Sequence, residues 1–259
     1  RASMGNTTTG SSNIALGALS LQTNSTGANN VAVGFCALKS NTTADNNTAI
    51  GYGSLKVNTT GCQNTGLGRT ALQDNTTGCR NVSLGFDSLA NNTTGECNTG
   101  VGFDAGSTIT TGSNLTVLGS GAQPSSATAT NEITLGNSSV TSLRCADTSI
   151  SSLSDLRDKK NVEDIPHGLD FINALRPVKF DWNARDGSRI GKKDYGFIAQ
   201  ELDKVEETFG NREYTRLVHK DNPDKWEADP MKTYPILIKA IQELSETNKD
   251  LKSRIEALE

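Results

Sequence analysis

The chain has 259 residues, a formal net charge of −4 and 5% aromatic residues. That length allows one large domain or two of medium size, and so small a net charge excludes nucleic-acid binding by bulk electrostatics. No uninterrupted apolar run approaches the roughly 18 residues needed for a membrane span, which excludes a spanning helix.

The average conceals a division. Residues 1–150 hold six Lys/Arg and seven Asp/Glu, whereas residues 151–259 hold 19 and 22. The first part is neutral and polar; the second reads as an ordinary globular domain with a helical end. The chain opens at Arg1 without a signal-peptide pattern, which reads as a piece of a longer polypeptide. Without a secretion signal, triplets such as Asn24-Ser25-Thr26 and Asn58-Thr59-Thr60 read as turn formers rather than glycosylation acceptors.

The first part is a repeat. Gly17, Gly34, Gly51, Gly68, Gly85, Gly102, Gly119 and Gly136 are each 17 residues apart. Asn13, Asn30, Asn47, Asn64, Asn81 and Asn98 precede the first six by four; a second Asn series runs Asn24, Asn41, Asn58, Asn75, Asn92; and Leu21, Leu38, Leu55, Leu72 and Leu89 follow the first five glycines by four. Short alternating pieces such as Ile14/Leu16, Val31/Val33, Val82/Leu84 and Ile133/Leu135 predict a strand in each unit with one buried face. A second strand is expected to run to the Leu after the Gly, and the N-T-T-G segment to supply a positive-φ turn. A 17-residue unit cannot hold a core alone, so it must stack on its neighbours as a solenoid. The last two coils are degenerate: Asn114 and Asn131 lie five before their glycines, the following Leu is lost, and Gln123-Pro124-Ser125-Ser126 breaks the pattern, as expected of a capping end.

The cysteines are Cys36, Cys62, Cys79, Cys97 and Cys145, with no C-x-x-C pair and an odd total. This argues against a complete disulfide framework. Cys62 and Cys79 are 17 apart and should stack as a ladder of small buried thiols. No metal or cofactor is expected.

The repeat unit resembles the β-roll repeats of trimeric adhesin heads, with their N-x-x-A-x-G cores, and more closely the NTAVGxxAL repeats of bacteriophage tail-fibre proteins. The match covers about residues 5–140. It speaks for architecture more than for function.

In the second part, Phe180, Trp182, Tyr195, Phe197 and Ile198 mark short strands. Phe171–Leu175 reads as a helix stopped by Pro177, and Asp194–Leu202 as a strand running into a helix. Asn211–Asp229 reads as a hairpin or loop. From Tyr234 onward, Leu237, Ile241, Leu244, Leu251, Ile255 and Leu258 follow a heptad seam with Asn248 in its one gap and Ile238 alongside. With the charges Glu243, Lys249, Lys252 and Glu256, this favours an oligomer-forming helix over one packed only on its own domain.

Between the parts stands Ser154-Asp155-Leu156-Arg157-Asp158-Lys159-Lys160. Read alone it is a capped helix start with a solvated charged face. A serine five residues before a lysine also fits a Ser-Lys dyad, provided burial or a neighbouring cation, Arg157 or Lys160, lowers the lysine pKa.

Three ordered motifs sharpen this: Ser154–Lys159, Gly196-Phe197-Ile198-Ala199-Gln200-Glu201, and Ala240-Ile241-Gln242-Glu243-Leu244. Together they resemble the intramolecular chaperone domain, peptidase S74, at the C-terminus of phage endosialidases, tail spikes and L-shaped fibres. The resemblance implies a homotrimer that holds three chains in register while a β fibre folds. It further implies self-cleavage at Leu153–Ser154, with Ser154 the nucleophile, Lys159 its base, and Asp155 and Arg157 in support. A virion location on a tail fibre, assembled in the host cytoplasm, follows from the same resemblance.

The expected architecture is thus a mostly β, trimeric solenoid over residues 1–145, a junction at 146–153, and an α+β chaperone domain at 154–259 ending in a coiled-coil-forming helix at 234–259. The alternative is a tip binding a host receptor or saccharide, with a trimerising but non-cleaving end; Phe35, Tyr52, Phe86 and Phe103 are its candidate contacts, against packing between coils. A glycosidase acting on external substrate lacks the pair of positioned carboxylates it needs. No nucleic-acid partner and no membrane insertion are expected.

Overall fold

A computed structural model describes residues 3–6, 9–146, 154–185, 187, 189–210, 212–220, 222–224 and 226–258. The chain divides into two compact units, Arg1–Thr141 and Ser142–Glu259. The expected junction falls largely on residues 147–153, which lie outside the described residues.

The first unit is a parallel β-solenoid. Its strands are β1 (Ile14–Leu16), β2 (Val31–Val33), β3 (Thr48–Ile50), β4 (Thr65–Leu67), β5 (Val82–Leu84), β6 (Thr99–Val101), β7 (Thr116–Leu118) and β8 (Ile133–Leu135). Each pairs with the next in parallel, and every register step is 17 residues, as in Ile14 with Val31. The middle position of each strand faces inward and is small in the first six, from Ala15, Ala32 and Ala49 through Gly66, Ser83 and Gly100.

Two asparagine ladders line the interior. Asn24, Asn41, Asn58, Asn75 and Asn92 are fully buried. From Asn41 on, each Nδ2 donates to the Oδ1 of the Asn one coil back, at 2.8–3.1 Å. Each also donates to the carbonyl three residues on, as Asn58 does to Gly61 O at 2.8 Å. In the second series Asn47 Nδ2 reaches the same Gly61 O at 2.9 Å, while its Oδ1 accepts the backbone N–H of Asn64 at 2.9 Å. The amide carries two N–H donors and a separate carbonyl acceptor on one neutral side chain, so it can bridge coils in both directions.

The predicted second strand is absent. Residues 51–57 and their equivalents form turns. Leu21, Leu38, Leu55, Leu72 and Leu89 are fully buried and sit in the left-handed region, with φ between 47° and 51°. That conformation costs a non-glycine residue about 1–2 kcal/mol, and burying a Leu returns about 1.5–3 kcal/mol. Backbone groups in the turns are not left unpaired, because they bond to the adjacent coil; Leu38 N–H donates to Ser54 O at 3.1 Å.

The N-T-T-G glycines also differ from expectation. They do not carry positive φ; the left-handed residues lie two positions later, at Asn29, Asn46, Gln63 and Arg80. Gly61 is needed for close approach instead, since a Cβ there would meet Gly78 O at 2.4 Å. In the coil before the degenerate pair, Gly106 stands where a Leu would, and buried Ile109 fills the space. Leu115 replaces the ladder Asn, and its N–H still donates to Asn98 Oδ1 at 3.0 Å.

The second unit is a small α+β fold. Helix α1 (Leu169–Ala174) precedes an antiparallel pair, β9 (Val178–Asp181) with β10 (Lys193–Gly196). Helix α2 (Ala199–Phe209) ends at Gly210, whose φ of 66° makes the left-handed stop common after helices. The region read as hairpin or loop holds a short helix α3 (Arg212–Thr215) and a two-residue antiparallel pair, β11 (Val218–His219) with β12 (Glu227–Ala228). Helix α4 spans Tyr234–Glu256.

Phe171, Leu202, Leu217, Val218 and Ile236 form the core of this unit. Helix α4 contributes only Ile236 and Ala240 to the buried set, while Leu237, Ile241, Leu244, Leu251 and Ile255 are exposed. Glu243, expected on the flank of an oligomeric helix, instead turns inward: its Oε2 accepts the N–H of Leu169 at 2.7 Å, satisfying a free amide at the start of α1.

Candidate functional site

Ser154 is exposed. Asp155 caps a 3-10 turn at Leu156–Asp158: its Oδ1 accepts the N–H of Arg157 at 2.9 Å. The turn closes with Lys159 N–H on Leu156 O at 3.1 Å. That reversal carries Lys159 back over Ser154, and Lys159 Nζ donates to Ser154 Oγ at 2.8 Å. Leu153, the other side of the expected scissile bond, lies outside the described residues.

Arg157, one of the two expected cations near Lys159, is paired within the turn. Its guanidinium is engaged by Asp155, with Nη2 to Oδ2 at 2.6 Å. The Arg157 guanidinium and then its backbone N–H hold the Asp155 carboxyl below the usual carboxylate range, and Asp155 in turn raises Arg157. Both groups are solvated, so the pair shapes the turn more than it stabilises the unit.

The heavy-atom geometry serves two proton arrangements. As an ammonium, Lys159 donates to the serine oxygen. As the free amine, it accepts the serine proton over the same 2.8 Å. Only the second prepares a nucleophile, and desolvation or a nearby cation is what favours it.

The other two motifs are structural within this unit. Gly196 closes β10, where a Cβ would press on Phe180 Cε1 at 3.3 Å. Phe197 packs on the core, and Glu201 pairs with Arg176 at 2.5 Å. Ala240 is buried on the inward face of α4, and Glu243 holds the α1 amide. Sequence reading missed two buried acids on α2. Asp203 pairs with Arg212 and Lys220, and Glu206 Oε1 accepts from Thr215 Oγ1 and from the N–H of Leu217 at 2.6 Å. Nothing in a polar helical sequence marks which carboxylates turn inward.

On the solenoid, the aromatic candidates form a column. Phe35 stacks on Tyr52 with centroids 5.3 Å apart, and Phe86 on Phe103 at 5.4 Å. Arg69 lies between Tyr52 and Phe86, 5.7 and 5.0 Å from their centroids. The rings thus pack on one another and on Arg69 between coils, while Phe35, Tyr52 and Phe103 remain partly exposed. Among the described residues, no group of three or more His, Cys, Asp or Glu is arranged to hold a metal ion, and no helix is long and apolar enough to cross a membrane.

No curated protein and no solved structure matches the chain. A family model does, over residues 154–211. Its match begins at the serine that Lys159 contacts and runs through α2 to residue 211. Following a parallel β-solenoid of 17-residue coils, residues 154–211 match the family model described as Peptidase_S74, chaperone of endosialidase.

Proposed function

We propose that the C-terminal unit gathers three copies of the chain, holds their solenoids in register during folding, and then separates by cutting Leu153–Ser154. The observation that carries this reading is the 2.8 Å hydrogen bond between Lys159 and Ser154, at the first residue of the family match. In the proposed reaction the amine of Lys159 takes the serine proton, and Ser154 Oγ adds to the carbonyl carbon of Leu153. The peptide C–N bond breaks as the nitrogen is protonated, leaving an ester to Ser154 Oγ. Water hydrolyses that ester, giving a carboxylate at Leu153 and a free amine at Ser154. No cofactor is required.

Two exposed apolar surfaces support self-association. The third strand position presents an aliphatic column, Leu16, Val33, Ile50, Leu67, Leu84, Val101, Leu118 and Leu135, and none of these side chains is buried in the single chain. The α4 seam from Leu237 to Leu258 is likewise exposed. Both are what an assembly of identical chains would cover. Assembly would also supply the burial that Lys159 needs, which orders cutting after association. In this reading the chain is part of a bacteriophage tail fibre, assembled in the host cytoplasm and carried on the virion.

A denaturing gel of the purified chain tests the cutting step. Fragments 1–153 and 154–259 should appear, and both Ser154→Ala and Lys159→Ala should abolish them. A single intact band after prolonged incubation would sink the proteolysis. A monomer by light scattering of the Ser154→Ala chain would sink the assembly role.

A further inference from the structure

We infer that Cys62 and Cys79 form a redox-controlled cross-link between adjacent coils of the solenoid. Their Sγ atoms lie 2.9 Å apart, and the N–H of Cys62 also points at Cys79 Sγ at 3.0 Å. The coils that carry them pair in register through Thr65 with Val82. In-register parallel neighbours are spaced about 4.8 Å apart, inside the roughly 4.4–6.8 Å Cα separation that a disulfide spans. Closing the sulfurs to a bond of about 2.05 Å therefore needs side-chain rotation and no backbone rearrangement.

The pairing is selective among the cysteines. The column that holds Cys62 and Cys79 reads Ala28, Asp45, Cys62, Cys79, Glu96 and Ser113, so thiols adjoin only once. Cys36 stacks between Leu19 and Gly53, and Cys97 between Arg80 and Asn114. Cys62 and Cys79 are half-buried rather than sealed in the core as the sequence suggested, so a small oxidant can reach them. The Cys62 thiol is pushed above its usual range, first by its hydrogen bond with Cys79 and then by burial. That favours the thiol form of Cys62 until an oxidant arrives.

The oxidant is a small-molecule disulfide. One cysteine, as thiolate, attacks it and forms a mixed disulfide, releasing one small thiol. The second cysteine then attacks the protein sulfur of that mixed disulfide and releases the other small thiol. The protein loses two hydrogens and two electrons, and the small disulfide becomes two thiols. The cross-link ties the coil of Leu55 to the coil of Leu72, which would otherwise be held by hydrogen bonds and packing alone.

Trypsin makes the test direct, because Arg69 lies between the two cysteines. The folded chain is treated with oxidised glutathione, remaining thiols are alkylated, and the digest is mapped without reduction. The expected result is residues 57–69 joined to residues 70–80, with Cys36, Cys97 and Cys145 alkylated. Oxidation should also shift the unfolding equilibrium toward the folded state about a hundredfold, for a closed loop of this size, and dithiothreitol should reverse it. Recovery of the two peptides separately, each alkylated or carrying glutathione, overturns the inference. So does a joined pair that forms equally in chain unfolded by urea, since the folded stack would then have no part in it.

Discussion

Asn75 Nδ2 donates to Asn58 Oδ1 at 2.8 Å, one coil away, and both side chains are wholly buried. Asn58 in turn donates to Asn41 Oδ1 and to Gly61 O. Replacing Asn58 by Ala removes two donors and one acceptor and leaves their partners without water. The expected loss is about 2–3 kcal/mol in urea unfolding of the full chain, from buried groups left unpaired. Asn58→Asp should be no better, because a carboxylate donates nothing. A loss below about 0.5 kcal/mol would mean that the ladder adds little beyond the backbone pairing.

Gly68 and Gly53 are both left-handed, yet they should respond differently to Ala. Gly68 has φ 141° and a Cβ there would lie 2.3 Å from Gly85 O, a backbone atom that cannot move aside. Gly53 has φ 66° and its nearest neighbour would be Thr70 Cγ2 at an ordinary 3.6 Å. Gly53→Ala should cost about 1 kcal/mol, the penalty of that backbone region alone. Gly68→Ala should exceed about 4 kcal/mol or prevent folding. Soluble yield and thermal unfolding of the two variants separate these outcomes, and equal behaviour contradicts the stacked geometry.

Helix α4 presents two apolar faces with separate fates. Ile236 is buried against its own unit, whereas Leu244 and Leu251 are about half exposed. Ile236→Asp should unfold the second unit. Leu244→Asp with Leu251→Asp should leave its circular dichroism intact and reduce the mass measured by sedimentation to that of one chain. If the double variant keeps the parent's mass, the seam is not where chains meet.

The carboxyl of Asp155 titrates below the ordinary range because Arg157 holds its anion. A depressed folded value contributes stability that is present above the unfolded pKa of about 3.9 and lost as pH falls through the folded one. The turn that carries Lys159 to Ser154 therefore keeps its cap at neutral pH and loosens only in acid. Carboxyl-carbon NMR should give Asp155 a midpoint below that of an exposed Asp in the same chain. Arg157→Ala should move it back up, and an unmoved midpoint would dissolve the proposed support.

Much of the solenoid was legible because a strict period converts sequence directly into columns. The Asn and Leu series, the strand positions and the stacked cysteines all follow from a step of 17. The turn at Leu55 was not legible: an apolar residue four after a glycine looks like a strand, and nothing local reveals that its φ is 49°. A neighbouring coil supplies carbonyls for its backbone, so the conformation is acceptable only in the stack. The Asp155 cap and the Ser154–Lys159 proximity could be read from six residues, since one short turn connects them. Glu243 could not, because its partner Leu169 is 74 residues away.

The columns also differ in what they tell a folding chain. Asn and Leu rungs are alike in most coils, so a coil paired with the wrong neighbour recovers nearly the same energy from them. The side chains that break the repeat do not offer this degeneracy. Phe35 meets Tyr52, Arg69 lies between Tyr52 and Phe86, Cys62 meets Cys79, and Arg80 meets Glu96, contacts that most coils do not repeat. These exceptions act as addresses written on an otherwise uniform ruler: the regular residues say that coils shall stack, and the irregular ones say which coil goes where.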